Sequence, residues 1–306
     1  MSAAATTRAE GARSDPAPDR LALGAFVGAV LMGGSNFVAV RFSNRELDPF
    51  WGAALRFGLA AAVFGILCAA LRLPLPRGRP LALVLTYGLL GFAGAYGCLY
   101  WALQEVPAGV AAVVVAIGPL LTLLLAVAHG LERLQGRALA GAVVAVAGSV
   151  LIFFQPGSTS FGLVSLAVLA VAALCASEAV VISKLCGPQH PLVINFVGMT
   201  AGAAALLIVS AAAGERLTVP KEGETQLALV YLVAGTVGLF LFVLLVVQRW
   251  TASATSYIFV LMPVVAVAVG ALLADERITV TTLLGGAIVC AGVYLGALAG
   301  RAAVRH

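Results

Sequence analysis

The sequence predicts an all-α membrane protein, with ten transmembrane helices arranged as two inverted five-helix repeats. The first observation behind this prediction is the composition: of 306 residues, 62% are hydrophobic and 10% are charged, and the mean hydropathy is +1.07. A soluble domain carries about 25% charged residues, so this composition indicates a polytopic membrane protein. The other two observations are an internal repeat and an unequal distribution of lysine and arginine between the loops.

The chain repeats the stretch 104–148 at 248–292, in a single register without a gap, and such a repeat has to be identified before the rest is interpreted. Each copy predicts a long apolar helix that contains a proline, a short Glu-Arg turn, and a second apolar helix with a seam of small residues. Four residues of types that are rare in this chain, and two glycines, match between the copies: Gln104 with Gln248, Pro119 with Pro263, Glu132 with Glu276, Arg133 with Arg277, Gly141 with Gly285, and Gly148 with Gly292.

Ten apolar stretches follow a polar N-terminal segment. Residues 1–20 are rich in Ala, Pro and Arg and predict a disordered cytoplasmic tail. The remainder divides into a first repeat, 21–154, and a second repeat, 162–300. Because a spanning helix needs roughly 20 apolar residues and turn-forming residues separate the stretches, we predict spans at these positions: 21–40, 50–71, 81–103, 107–129, 136–154, 162–184, 191–213, 226–248, 252–274 and 280–300.

The loop charges predict the orientation. With a cytoplasmic N-terminus, the inside segments hold twelve Lys and Arg residues and the outside segments hold five, so both termini are expected in the cytoplasm. Five spans per repeat is an odd number, so the two copies cross the membrane in opposite orientations. Inverted repeats build many secondary transporters, in which the substrate site lies between the halves near the membrane midplane.

The chain resembles the EamA-type branch of the drug/metabolite transporter superfamily over residues 21–300. The resemblance implies ten helices in two inverted halves around a central cavity, lined by spans one, three, four, six, eight and nine. It also implies export of small metabolites, often amino acids or related amphipathic compounds, by alternating access. The motifs that carry it are Leu31-Met-Gly-Gly-Ser-Asn36, Pro49, Arg56-Phe57, Tyr100-Trp-Ala-Leu103, Pro119, Glu132 and Gly141-x6-Gly148, with Pro263, Glu276-Arg277 and Gly285-x6-Gly292 in the second repeat.

Glu178 is an acidic residue within the largely apolar sixth span. A carboxylate in hydrocarbon is costly and faces the bundle interior or a wet cavity, so we predict a substrate contact or a proton-coupling group. The alternative is a structural carboxyl bonded to a neighbouring helix. Lys184 is a candidate partner, although a spacing of six residues does not place the two on one helix face. Ser35 and Asn36 align with Glu178 and Ala179, so both repeats place polar residues at equivalent positions.

Aromatic residues form a stripe in the third span, since Phe92, Tyr96, Tyr100 and Gln104 recur every four residues. The stripe predicts a cavity wall that suits an amphipathic or cationic substrate, and the alternative is helix packing. Tyr257 in the ninth span offers a further hydroxyl. The predicted substrate-binding residues are Asn36, Tyr96, Tyr100, Glu178 and Tyr257, with Glu178 also the coupling group.

Several other polar residues and prolines predict structural roles. Arg56 is expected to cap backbone carbonyls or to reach towards the outer surface, with a direct substrate role as the alternative. Glu132 and Glu276 lie at short turns beside helix starts and predict helix caps. Pro119 and Pro263 predict kinks. Glycines at every third residue in the third span predict close helix packing: Gly88, Gly91, Gly94 and Gly97.

The sequence carries no motif of an enzyme, no nucleotide-binding loop and no metal-ligand cluster, so we expect neither catalysis nor a cofactor nor a metal. His129 and His190 fall near span ends and are expected at the membrane interface. The predicted protein is a secondary exporter in the inner membrane, driven by the substrate gradient or by proton exchange. Its partners are a small-molecule substrate and lipid, without nucleic acid, and a homodimer is left open. Multidrug or cation efflux, and a membrane scaffold or lipid-head-group flippase subunit, are the alternative functions.

Overall fold

The computed structural model describes residues 19–43, 45–102, 106, 111, 114–153, 162–274 and 280–298, and the secondary structure in these ranges is helical throughout. The predicted tail falls almost entirely outside them. The helices are α1 Arg20–Ser43, α2 Pro49–Ala70, α3 Arg79–Ala102, α4 Gly118–Ala128, α5 Gly136–Phe153, α6 Leu163–Leu185, α7 Pro191–Ala212, α8 Gly223–Arg249, α9 Ala252–Ala274 and α10 Val280–Val293, which a π-helical turn extends over Tyr294–Leu298.

Five of these helices, α2, α3, α6, α7 and α8, are long and apolar enough to cross a membrane, judged by length and composition. Within the described ranges, shorter apolar helical stretches lie at 20–35, 118–128, 136–152, 252–262 and 283–297. The predicted all-α membrane fold is confirmed. Helix ends also follow the turn-forming residues, since the spans predicted at 50–71 and 191–213 are observed at Pro49–Ala70 and Pro191–Ala212.

Helices of the two sequence repeats pack against each other. Helix α1 packs on α8 and α9, whereas α6 packs on α3 and α4. Helices α1, α3 and α4 of the first repeat are equivalent to α6, α8 and α9 of the second, so the two sets of contacts are related by the repeat. Two further pairs, α2 with α7 and α5 with α10, join equivalent helices of the two repeats. The halves are therefore interleaved, and most helix–helix packing among the described residues is between one half and the other.

The duplicated glycine motif forms the crossing between α5 and α10. A Cβ atom on Gly148 would lie 2.6 Å from the amide nitrogen of Val289, and one on Gly292 would lie 2.5 Å from the amide nitrogen of Ala145. Real Cβ atoms do not approach backbone so closely, so this crossing requires glycine. Close approach through small residues is the usual way in which membrane helices pack.

Helix α3 contains a π-helical segment, Leu89–Gly94, at the middle of its length. Its glycines face two neighbours: a Cβ atom on Gly88 would lie 2.1 Å from the carbonyl oxygen of Gly198 in α7, and one on Gly94 would lie 3.1 Å from Cys175 Sγ in α6. These contacts confirm the predicted packing role of the glycines. They also fix α3 against the part of α6 that carries Glu178.

Helix α4 begins after a turn at residues 116–117, with Pro119 in its first turn. The sequence predicted a kink at this proline, and the structure shows a break in the span just before it. Ser177 in α6 donates a hydrogen bond of 3.3 Å to the carbonyl oxygen of Gly118 at the break. Helix α9 continues through position 263, and the side chain of Pro263 lies outside the described residues.

Candidate functional site

An aromatic wall, which we define as Phe57, Phe92, Tyr96, Tyr100 and Phe240, joins α2, α3 and α8. The rings of Phe57 and Tyr96 are 4.9 Å apart, those of Tyr96 and Tyr100 are 6.1 Å apart, and those of Phe92 and Phe240 are 4.8 Å apart. The three phenylalanines are buried, whereas the two tyrosines are part-buried. The four-residue spacing thus correctly placed Phe92, Tyr96 and Tyr100 on one face, and the tyrosines form its accessible end.

Arg56 lies beside this wall and is only 5% exposed. Its Nε donates a hydrogen bond of 2.6 Å to the hydroxyl oxygen of Thr236 in α8, which is itself fully buried. The guanidinium carbon is 5.5 Å from the centre of the Phe57 ring and the group interacts electrostatically with Tyr96. The expectation that Arg56 caps carbonyls or reaches the surface was wrong, because its hydrogen bond holds it inside the bundle.

Glu178 pairs with His129, the residue that ends α4, through a contact of 3.2 Å between Glu178 Oε1 and His129 Nε2. The two side chains are 21% and 33% exposed. The Nδ1 atom of His129 lies 2.9 Å from the carbonyl oxygen of Leu125. A carbonyl oxygen only accepts, so a hydrogen bond at this position is donated by Nδ1 and leaves Nε2 facing the carboxylate of Glu178. The pair joins α4 of the first half to α6 of the second half.

One sequence-based assignment changes with this pair. The partner of Glu178 is His129 on another helix, whereas Lys184 Nζ donates to the carbonyl oxygens of Val247 and Trp250. A cation at the C-terminal end of a helix, here α8, is stabilised by the helix dipole. The expectation that His129 lies near the membrane interface stays a prediction. The other Glu178 oxygen, Oε2, is buried and has no hydrogen-bond partner among the described residues.

Three carboxylates, which we call the cross-half caps, each hold the start of a helix in the other repeat. Glu132 accepts hydrogen bonds from the amide nitrogen of Ser253, at 3.0 Å, and from its hydroxyl, at the start of α9. Glu215 accepts from the amides of Phe50 and Trp51 at the start of α2, at 3.1 and 2.7 Å. The prediction that Glu132 caps a helix is thus correct in kind, but the helix belongs to the second half.

The third cross-half cap is Glu46, in the turn between α1 and α2. It accepts from the amides of Lys221 and Glu222 at the start of α8, at 3.1 and 3.0 Å. Carboxylates are favoured at helix N-termini because the unpaired amides and the helix dipole are positive there. Glu46 and Glu215 act at one end of the bundle and Glu132 acts at the other, so contacts between the halves are present at both ends.

The two remaining candidate ligands lie apart from the aromatic wall or cannot be placed. Tyr257 is 2% exposed, and its hydroxyl donates a hydrogen bond of 3.4 Å to the carbonyl oxygen of Ala138. Its ring also packs against Gly296, so it belongs to the contact between α9, α5 and α10. The Asn36 side chain lies outside the described residues. Substrate contacts by either residue stay predictions.

Two cavities lined by described residues lie at the edge of the bundle. One, of about 250 Å³, is an apolar groove between α2 and α7, and the other, of about 370 Å³, lies between the start of α3 and the end of α6. Neither contains the aromatic wall or the Glu178–His129 pair. The candidate site is therefore identified by its polar groups, namely the buried Arg56 and Thr236 and the more exposed Glu178 and His129, and not by these cavities.

Comparison with known proteins supplies the family. The model of the EamA-like transporter family matches residues 20–154 and again residues 162–297. A "Probable terminal-alkyne amino-acid exporter" of Streptantibioticus cattleyicolor is 28% identical over 278 residues, covering 90% of this chain and 92% of the relative. A "Probable amino-acid metabolite efflux pump" of Escherichia coli is 29% identical over 284 residues, covering 87% and 91%.

Two further similarities cover most of the chain. The "Uncharacterized inner membrane transporter YedA" of Escherichia coli is 31% identical over 264 residues, covering 84% of each chain. A crystal structure of a protein that is 22% identical superposes with a TM-score of 0.78, covering 92% of this chain and 98% of the other, which shows a shared fold. The chain is therefore a membrane transporter and not an enzyme, and it belongs to the EamA-like transporter family.

Proposed function

We propose that this transporter exports small metabolites, namely amino acids or related amphipathic compounds, across the cytoplasmic membrane by alternating access coupled to protons. The observation that carries the proposal is the Glu178–His129 pair, because it brings a carboxyl and an imidazole, two side chains of types that can carry a proton, into contact between the two halves of a membrane transporter. The names of two relatives, an amino-acid exporter and an amino-acid metabolite efflux pump, support the substrate class.

The aromatic wall is the proposed binding surface for the apolar part of the substrate. Tyr96 and Tyr100 present rigid rings with polar tips, which suit a compound with one apolar and one polar end. Asn36 and Tyr257 are retained as further proposed contacts. The substrate would lie between α3 of the first half, 21–154, and α8 of the second half, 162–300, so both halves would sense whether the site is occupied.

Glu178 is the proposed coupling group and His129 its proton partner. They lie on α6 and α4, one in each half, so a change in their protonation changes the attraction between the halves. Two opposite charges attract more strongly than a pair in which only one member is charged, which is the state that gain or loss of one proton produces. Binding or release of one proton would therefore bias the equilibrium between the inward-open and outward-open arrangements, which is what coupling requires.

The cross-half caps are the proposed contacts that change between the two arrangements. Glu132 acts at the end of the bundle that we assign to the cytoplasm, together with both termini, and Glu46 and Glu215 act at the outer end. Opening one end of the transporter requires the caps at that end to separate. Because each cap is a small set of hydrogen bonds at the membrane surface, it can form and break without unfolding a helix.

The test is transport into liposomes that contain the purified protein, with a pH gradient of either sign. We expect Glu178→Gln to abolish acceleration by the gradient while the protein remains folded, because the amide cannot exchange the proton. Glu224→Gln is the matched control, since Glu224 is an exposed carboxylate paired with Arg45. Gradient-driven transport by the Glu178 variant at the wild-type rate at every pH would refute the assignment of the coupling group.

His129 supplies a second arm of the same experiment. Replacement by Gln keeps a polar side chain but removes the imidazole that contacts Glu178. We expect the pH profile of transport by this variant to differ from that of the wild type, because the pair has lost its imidazole. A His129→Gln profile identical to that of the wild type would show that Glu178 acts without this partner.

A further inference from the structure

We infer that Arg56 is the anion-binding group of the transport site, and that the substrate carries a carboxylate which pairs with the Nη1 and Nη2 atoms of this residue. The inference rests on the proposed function, because it names the chemical class of the compound that the same site would bind.

The first argument is the uncompensated charge of Arg56. A guanidinium group stays protonated in proteins, and this one is 5% exposed inside a membrane bundle. Its hydrogen bond goes to a neutral hydroxyl, that of Thr236, and it forms no ion pair with a carboxylate of the described residues. An intramembrane charge is costly unless it is paired, so a bound carboxylate would supply the counter-ion that the fold leaves out.

The second argument is the geometry of the unused donors. Thr236 engages Nε and thereby fixes the orientation of the planar guanidinium group. The Nη1 and Nη2 groups have no hydrogen-bond partner among the described residues, and together they form the fork that binds a carboxylate through two parallel hydrogen bonds. The hydroxyls of Tyr96 and Tyr100 likewise have no partner among these residues. The free donors and the aromatic wall therefore lie side by side, as an anionic head group with an apolar side chain requires.

The third argument is the separation of Arg56 from Glu178. Arg56 lies seven residues after the start of α2, and Glu178 lies seven residues before the end of α6, at the opposite end of the bundle. At a rise of about 1.5 Å per residue, each is about 10 Å from its own membrane surface. In a hydrocarbon core of about 30 Å the two groups are then about 10 Å apart in depth. Arg56 therefore binds the carboxylate and Glu178 exchanges the proton at separate places.

The test compares three compounds that share one side chain: phenylalanine, its amide and phenylethylamine. Each is titrated against the purified protein, and its binding is measured from the rise in melting temperature, since a ligand that binds only the folded state stabilises it by mass action. We expect the wild-type protein to bind the amino acid at least about tenfold more tightly than the amide or the amine, because a charge-assisted pair is lost. Leucine and its two derivatives form a second series for substrates with an aliphatic side chain.

Variants of the protein test which residue causes the preference for the amino acid over its amide. Arg56→Gln is expected to bind the amino acid and the amide equally, and Arg45→Gln, which removes an exposed arginine, is expected to keep the preference. Thr236→Val retains the charge but removes the hydrogen bond that orients it, so the preference should weaken without disappearing. This variant also tests the inference if Arg56→Gln does not yield a folded protein.

The outcomes separate this inference from the function on which it rests. Equal binding of acid and amide by the wild type, tighter binding of the amine, or an unchanged preference in Arg56→Gln overturns the role of Arg56 alone. Absence of stabilisation of the wild type by every member of both series counts against the proposed export of amino acids, and with it against this inference. Loss of the preference in Arg56→Gln, with the preference kept in Arg45→Gln, supports the role of Arg56.

Discussion

The Glu132 cap gives a quantitative test of how the two halves are joined. Replacing Glu132 by Ala removes the acceptor of two hydrogen bonds from Ser253, one from its amide and one from its hydroxyl. It also removes a negative charge from the start of α9. The perturbation acts on a contact between residues 121 positions apart, so its effect reports on assembly of the halves.

The expected magnitude follows from these contacts. A hydrogen bond to a charged group contributes about 1.5 to 3 kcal/mol, and a carboxylate at a helix N-terminus contributes about 0.3 to 1 kcal/mol. Because the two hydrogen bonds share one carboxylate, their contributions are not additive, and we expect Glu132→Ala to lower the free energy of unfolding by about 3 kcal/mol. Glu132→Gln keeps one acceptor oxygen and loses the charge, so about half of this effect is expected, roughly 1.5 kcal/mol.

The assay is unfolding of the purified protein in a titration with denaturing detergent, with Ser253→Ala and the double variant completing a thermodynamic cycle. The cycle should show a coupling of about 1 kcal/mol or more between the two positions. Glu224→Gln is the control, because exposed ion pairs contribute only about 0 to 1 kcal/mol. Additive effects of the two substitutions, or a loss in Glu132→Ala no larger than in the control, would refute the cap.

Two further outcomes are expected. Hydrogen bonds from the backbone N–H groups of Glu222 and Lys221 hold the pKa of Glu46 below its usual range, so the contribution of Glu46 to stability is present above the ordinary pKa of a glutamate and is lost as the pH falls through the lowered value. Melting temperatures measured between pH 6 and 3 should therefore show an acid-induced loss that Glu46→Gln removes. An acid profile of this variant identical to that of the wild type would contradict the assignment. Gly148→Val places carbon atoms against the backbone of α10 and should lower the free energy of unfolding by about 3 kcal/mol or more. Gly24→Val is the control and should change this free energy little, because a Cβ atom at position 24 would have no atom within 4 Å. Equal losses in the two variants, measured by the same detergent titration, would show that the α5–α10 crossing tolerates a side chain.

The helices were predictable from the sequence because hydropathy and turn-forming residues are local signals. Pro49 and Pro191 each begin a helix, at positions where the missing proline N–H costs no hydrogen bond. The stripe of Phe92, Tyr96 and Tyr100 was also predictable, since helix periodicity alone places them on one face. The glycine motifs predicted a close crossing for the same reason, although they did not reveal that the two copies contact each other.

The partners of the polar residues were not predictable, because each lies on a distant part of the chain. His129 is 49 positions from Glu178, and spacing along one helix offered only Lys184 for comparison. Thr236 is one of three hydroxyl residues in α8 and is 180 positions from Arg56. The signal that the sequence did contain for His129 was its rarity, since the chain has three histidines, and its position next to the duplicated Glu132 turn.

The hydrogen bond between Arg56 and Thr236 can form only late in the synthesis of this protein. A ribosome adds about 5 to 20 residues per second, so Thr236 is synthesised about 10 to 40 seconds after Arg56. During that interval α2 carries a charged side chain into the membrane before the hydroxyl that will orient it exists. We expect the first half to remain at the insertion machinery, or to hold Arg56 at the lipid surface, until α8 arrives. Although the two halves are copies of one unit, the first half expressed alone is expected to be degraded and not to mature.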